Sequence, residues 1–388
     1  MNRSKPPLIA AGGPPSRPPL TGLSPRVEAL ATRWALASAV VGAIVAAVAM
    51  GGARLPLGGP LSVGSLAALL AALAAASAFA TSFVLERREG HLLWRRALPW
   101  PKRAADLASL CAAMMMLAAL LVIAVAELFQ LGFRGLTIDP FGAGALAGAA
   151  CGVMAYAASV FGARVTSSGI ATLATLVLFL GTLASMVSSP DAEWWQFHFS
   201  RLGNESGYAG YQFNLALITT GAVVTVLANF VAHDLETGLR PRVASGASRA
   251  RVFAWLLAGI GLCLMVAGLV PDAVAFPVHV GAASGMVVLF GVLVGCLAAL
   301  VPGISHEVSA FSVVAVTGIL VAVALWVPIG YYNLTGAEFV IAGLLFAWLV
   351  VFVRGARAYA DSSLRAHPDA ADAPGVRGAD QAGRTSSA

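Results

Sequence analysis

From about residue 35 to residue 353 the chain alternates long apolar runs with short polar segments. A membrane-crossing helix needs about 20 mostly apolar residues, and windows of that size predict ten spans, at 35–52, 62–85, 104–126, 141–163, 167–188, 211–232, 252–270, 280–301, 309–329 and 337–353. The expected fold is all-α, a polytopic transmembrane helical bundle. The longest polar interruption, WWQFHFSRLGNESGYAGYQFN from Trp194 to Asn214, brings aromatics, a histidine and an arginine together between two apolar runs.

The polar segments are asymmetric. One set holds the N-terminal residues, then Arg87, Arg88, Arg95, Arg96, Lys102 and Arg103, then Arg164, then Arg240, Arg242, Arg249 and Arg251, then the tail from Arg354. The alternate set keeps only Arg54, Arg134 and Arg201. The positive-inside rule places the first set, and with an even span count both termini, on the cytoplasmic side.

Composition agrees. Of 388 residues 59% are hydrophobic and 11% charged, against roughly 25% charged in soluble domains, so water-soluble folds are excluded. The net charge of +6 is spread over short loops and is explained by topology, so no nucleic-acid partner is expected. Cys111, Cys151, Cys263 and Cys296 lie in apolar runs without CxxC spacing and read as small packing residues. No Walker, HExxH, GxSxG or dinucleotide pattern is present, and no cofactor or metal is expected.

Residues 1–32, rich in Pro and Gly with Arg3, Lys5, Arg17 and Arg26, are expected to form a disordered cytoplasmic tail, followed by a membrane half over 33–190, a second over 191–354 and a disordered tail over 355–388. The halves also suggest a parallel internal repeat. Phe83-Val84 before ERREGHLLWRR parallels Phe230-Val231 before AHDLETGLRPR, and each is followed by a helix, a short loop and a glycine-rich helix. Gly144, Gly148 and Gly152 in the fourth run, and Gly281 with Gly285 and Gly291 with Gly295 in the eighth, form GxxxG steps that read as helix-packing surfaces.

Polar residues at or near membrane depth are costly and mark function or pairing. Most of them fall at the outer level. Glu127, Asp139 and Asp272 read as solvated loop residues; His198, Ser200, Arg201, Asn214, His279 and Glu338 read as a candidate binding set. His279 follows Pro277 at an expected helix start, and Arg201 could pair with Glu338 or Glu205 to clamp the loop. Trp194, Trp195, Phe197, Phe199, Tyr208 and Tyr211 fit an aromatic belt or a lid over an outward cavity.

Several phrases in the second half resemble a bacterial family of integral membrane proteins known as domain of unknown function nine hundred ninety-eight: FSRLG at 199–203, YQFNLALITTG at 211–221, GLVPDAVAFPVHVGAA at 268–283 and LTGAEFVIAGLLFAWLVV at 334–351. The resemblance covers about 194–354. It implies that Ser200, Leu202, Gly203, Asn214, His279, Glu338 and Trp348 carry the family's recurring positions; Phe339 departs from it, standing where a basic residue follows the glutamate. A looser likeness to the eukaryotic DRAM-type membrane family implies a lipid- or membrane-associated role.

The expected partner is therefore the lipid bilayer of a bacterial cytoplasmic (inner) membrane. The leading expectation is a non-enzymatic protein that binds or moves a lipid or small amphiphile at the outer leaflet. The alternatives are an enzyme on a lipid-linked substrate, with His198 or His279 as base, and a non-catalytic scaffold.

Overall fold

The structure, a computed structural model, describes residues 24–89 and 92–366. Its long helices are α1 (Pro25–Ala49), α2 (Val63–Glu89), α3 (Trp100–Gly132), α4 (Pro140–Ala163), α5 (Ser167–Ser188), α6 (Tyr208–Leu239), α7 (Gly246–Leu269), α8 (Asp272–Gly295), α10 (His306–Trp326) and α11 (Leu334–Ala366), with a short α9 (Leu297–Leu300). The ten long ones are each long and apolar enough to cross a membrane. The expected span count and all-helical class hold.

The bounds differ where capping or polar continuation overrides hydropathy. The Ser24 hydroxyl accepts the Val27 N–H and Pro25 opens the first turn, a start signal that precedes the apolar run by a full ten residues. Residues 25–32, expected in a disordered tail, are therefore helical, and so are 355–366, because α11 runs on past the apolar stretch. The other tail residues, 1–23 and 367–388, lie outside the described residues. The eighth span also begins earlier than expected, at Asp272. It bends at Ala275, whose φ/ψ of −152°/86° is not helical, two residues ahead of Pro277, which cannot donate to a carbonyl one turn back.

In the first half α4 beds against α1 and α2, and α2 against α3. In the second, α6 is the most buried of the ten spans and packs on α5, α7, α11 and α3, while α8 leans mainly on α7 and α10 on α11. Lipid gives helices no hydrophobic reason to associate, so small residues and interhelical hydrogen bonds carry these contacts. A Cβ at Gly144 or Gly148 would lie 2.8 or 2.7 Å from a backbone oxygen of α1, and Ser82 and Ser159 share a buried 2.8 Å hydrogen bond between α2 and α4. Of the α8 glycines expected to pack likewise, only Gly285 faces a neighbour, with Cys263 Sγ of α7 3.5 Å from an added Cβ. Around Gly281, Gly291 and Gly295 there is nothing within 4 Å of an added Cβ.

The connections gather at two ends. At the basic end the turn containing Arg95, the start of α10 and the end of α11 meet the ends of α6 and α7. Arg95 is buried and bonded to Asp106, with its guanidinium 4.6 Å from the Phe230 ring centroid and 5.3 Å from that of Trp94. Burial pushes the Arg95 guanidinium below its ordinary pKa and the Asp106 carboxylate opposes that shift. Arg242 lies over Tyr359 and donates to Ser363, Tyr359 donates to the Pro302 carbonyl, and Arg249 donates to the Ala299 carbonyl. These arginines thus tie elements together, beyond the orientation they were read for. His233 and Asp234 lie within α6, where His233 stacks on Trp94 and Asp234 accepts from Ser167.

The two glycine series give opposite expectations for one substitution. Gly148→Ala should lower thermal stability in detergent by about 1–3 kcal/mol through overpacking, whereas Gly291→Ala should leave it unchanged or raise it by up to ~1 kcal/mol through helix propensity. Equal losses at both positions would contradict the packing described.

Candidate functional site

At the end opposite the arginine-rich loops, the segment between α5 and α6 folds into two short 3-10 turns, Trp194–Gln196 and Phe199–Asn204. The second contacts α6, α8 and α11. Its hydrogen bonds explain why a polar segment lies down on the bundle. Asn214, in the second turn of α6, donates to the Gly203 carbonyl at 2.9 Å. The Ala273 amide at the start of α8 donates to Asn204 at 3.3 Å. From the start of α11, Asn333 donates to the Trp195 carbonyl at 2.7 Å while its side-chain oxygen caps Gly336 N–H at 2.9 Å. One turn further on, the Glu338 carboxylate accepts the Phe199 amide.

Inside this frame His198 bridges two groups. Its Nδ1 lies 3.0 Å from Ser200 Oγ, and its Nε2 lies 3.4 Å from Asp272 Oδ2. The Asp272 side chain is 11% exposed and that of His198 26%, so the carboxylate is largely withdrawn from water while the ring keeps an open edge. Asp272, read from sequence as a solvated loop residue, is therefore part of the site. Pro271 stands at the N-cap of α8, which puts Asp272 in the first turn of that helix.

Of the candidate set, His198, Ser200 and Glu338 meet on one short backbone stretch. Asn214 holds that stretch from below. Arg201 pairs neither with Glu338 nor with Glu205; its guanidinium is 3.8 Å from Asp191 and 5.3 Å from the Phe197 ring centroid. His279 does not share contacts with Glu338 among the described residues. It is buried, and its Nδ1 donates to the Ala267 and Val270 carbonyls, both at 3.0 Å. Those are carbonyls left without helical partners where α7 ends, so the Nδ1 edge of His279 closes the α7–α8 corner. Glu127 and Asp139 also serve locally: Glu127 accepts the Gly59 amide at 2.6 Å and Asp139 caps α4 through the Phe141 amide at 3.1 Å.

The aromatic residues divide. Phe199 is half-buried among Trp194, Phe213 and Phe339, with centroids at 5.8, 5.6 and 6.3 Å, and Phe339 thereby packs where the family resemblance implies a basic residue. Trp195, Phe197, Tyr208 and Tyr211 are exposed, as is Phe276 on α8. Among the described residues no cluster of His, Cys, Asp or Glu could hold a metal ion.

Residues 172–355 match the model of a protein family described as a protein of unknown function, DUF998. Over that stretch, a little under half of the chain, the sequence is similar to DUF998. The match begins in α5, some twenty residues ahead of the expected start, and takes in every residue of the site. The matched stretch thus includes the loop, α6, α8 and most of α11, while α1 to α4 lie outside it. No curated protein and no solved structure matches the chain.

If Glu338 is the clamp on this loop, its loss should be visible locally. Glu338→Ala should speed amide hydrogen exchange at Phe199 by roughly 10- to 100-fold, equivalent to about 1.5–3 kcal/mol, the cost of leaving a partly buried donor without its partner, with exchange in α6 unchanged. Unaltered exchange at Phe199 would show that the carboxylate does not hold the loop.

Proposed function

We propose that this integral membrane protein binds a lipid or other small amphiphile at the end of the bundle that carries the 194–204 loop, and that this end faces the outer leaflet. The observation that carries the reading is a half-buried polar group, Ser200, His198 and Asp272, on a loop and helix starts that also carry the exposed rings of Trp195, Phe197, Tyr208, Tyr211, Phe276 and Phe339. A site with convergent polar groups inside an apolar rim suits a ligand that has a polar head and an apolar body. Arg201, 44% exposed at its side chain, is placed to meet an anionic headgroup.

The orientation rests on charge. The opposite end bears most of the arginines of the interhelical loops, and the positive-inside rule supports reading it as the cytoplasmic side. Binding is favoured over passage across the membrane because the crevice at mid-depth among α6, α7, α8 and α11 is walled by residues such as Val224, Leu264, Phe290 and Trp348 and has about 10 Å³ of free volume. That is roughly the room of one water.

Native mass spectrometry of the detergent-purified protein tests the reading. Wild type should retain a phospholipid-sized species, and Arg201→Ala and Glu338→Ala should each lower its occupancy at least ~10-fold, the scale of one charge-assisted contact. A wild type that carries no lipid would refute it.

A further inference from the structure

We propose that Ser200 is a nucleophile that cleaves an acyl ester of the bound amphiphile, with His198 as its base and Asp272 and Glu338 as positioning residues. The inference rests on the amphiphile-binding reading and adds a reaction to it.

The geometry is that of a relay. Asp272, arriving from α8, stands 3.4 Å from His198 Nε2 and favours the proton there. That leaves the Nδ1 lone pair facing Ser200 Oγ at 3.0 Å. A serine and a histidine two residues apart can touch by local turn geometry alone. Such a contact gives no reason for a withdrawn carboxylate from a separate helix to stand behind the ring, nor for a second one to hold the backbone between them. Both are present here. Glu338 accepts the amide of Phe199, the residue that separates base from nucleophile, so α11 fixes the backbone on which the pair is built. In an unliganded site the separations of such groups are commonly looser than in the reacting complex. Exposed rings in the same loop and at the neighbouring helix starts, Phe197 and Phe276 among them, offer apolar surface to an acyl chain.

In the first half-reaction Ser200 Oγ forms a bond to the acyl carbon while its proton passes to His198 Nδ1. The tetrahedral adduct collapses, the ester C–O bond breaks, and the leaving alkoxide takes that proton and departs as an alcohol. Water then enters, gives a proton to Nδ1 and attacks the acyl-serine. The Ser200 ester bond breaks, the proton returns to Oγ, and a carboxylic acid leaves. Asp272 stays ionised throughout and stabilises the imidazolium formed in each half. No oxidant, reductant or metal takes part in either step.

An alkyl fluorophosphonate, which phosphonylates activated serines with loss of fluoride, tests this on the full-length protein in detergent. Peptide mapping should find the adduct on Ser200, and Ser200→Ala should abolish it. His198→Gln should slow labelling at least ~100-fold, the usual share of general-base catalysis. Asp272→Ala should slow it too, and Asp272→Glu should restore part of the rate, which a merely structural role would not give. Vesicles of phosphatidylglycerol and phosphatidylethanolamine should release fatty acid with wild type and none with Ser200→Ala. A folded wild type that is not labelled, or labelling that survives Ser200→Ala, overturns the proposal. If the unlabelled protein still retains lipid by native mass spectrometry, the nucleophile alone is refuted and binding stands; if it retains none, both fail.

Discussion

Two glycines facing each other, Gly221 on α6 and Gly261 on α7, set the spacing on which the second half depends. A Cβ at either would come within 2.4–2.6 Å of the other's carbonyl oxygen, so the helices meet backbone to backbone at this crossing. In lipid the gain comes from dispersion contacts over a long shared surface, and any added atom there would separate the helices and lose many such contacts. α6 can then act as a hub, with α5, α7 and α11 around it and α3 reaching it from the first half. At the basic end the Arg95–Asp106 pair, enclosed by Phe83, Trp94 and Phe230, fastens the α2–α3 connection to the same hub. Removing one member of such a buried pair costs about 3–5 kcal/mol, because the other charge is stranded.

The site at the opposite end inherits this order. Its loop buries Leu202 and packs Phe199 among neighbouring rings, and it is fixed by hydrogen bonds from three helices: Asn214 on α6, the Ala273 amide on α8, and Asn333 with Glu338 on or beside α11. Each helix must be in place for the loop to find its partners. His198 reaches Asp272 only because α7 turns sharply into α8, a corner closed by His279 on the last carbonyls of α7. Residues of the loop thus supply the chemistry and the hub supplies the geometry.

Much of this was legible in the sequence, and the rest was hidden for definite reasons. The ten spans could be read because a bilayer demands a minimum apolar length, and the grouping of loops could be read from their arginines. The outer polar set could be read because ionisable residues beside spanning helices are rare. Helix ends were less legible: α1 and α11 continue through polar residues that water can solvate, so hydropathy stops before the helix does. The glycines of α4 and α8 look alike along the chain, since spacing records a smooth face and says nothing of whether a neighbour covers it. Gly221 and Gly261 bring two helix backbones into direct contact but belong to no GxxxG step. Asp272 was taken for a solvated residue because a carboxylate in a short loop ordinarily is; only the bend at Ala275 and the proximity of His198 change its role. His279 was placed with Glu338 by level alone, and level does not reveal that the ring is committed to two carbonyls.

On the proposed reading, an amphiphile sits over His198 and Ser200 with its head toward Arg201 and its apolar part along the exposed rings. Electron cryomicroscopy of the protein in nanodiscs of phosphatidylglycerol and phosphatidylethanolamine tests it most directly. The account predicts a lipid-shaped density with its headgroup within hydrogen-bond reach of Arg201 or His198 and its chain along Phe197, Phe276 or Phe339. Density for ordered lipid elsewhere on the bundle, with the loop packed solid and bare, would contradict it.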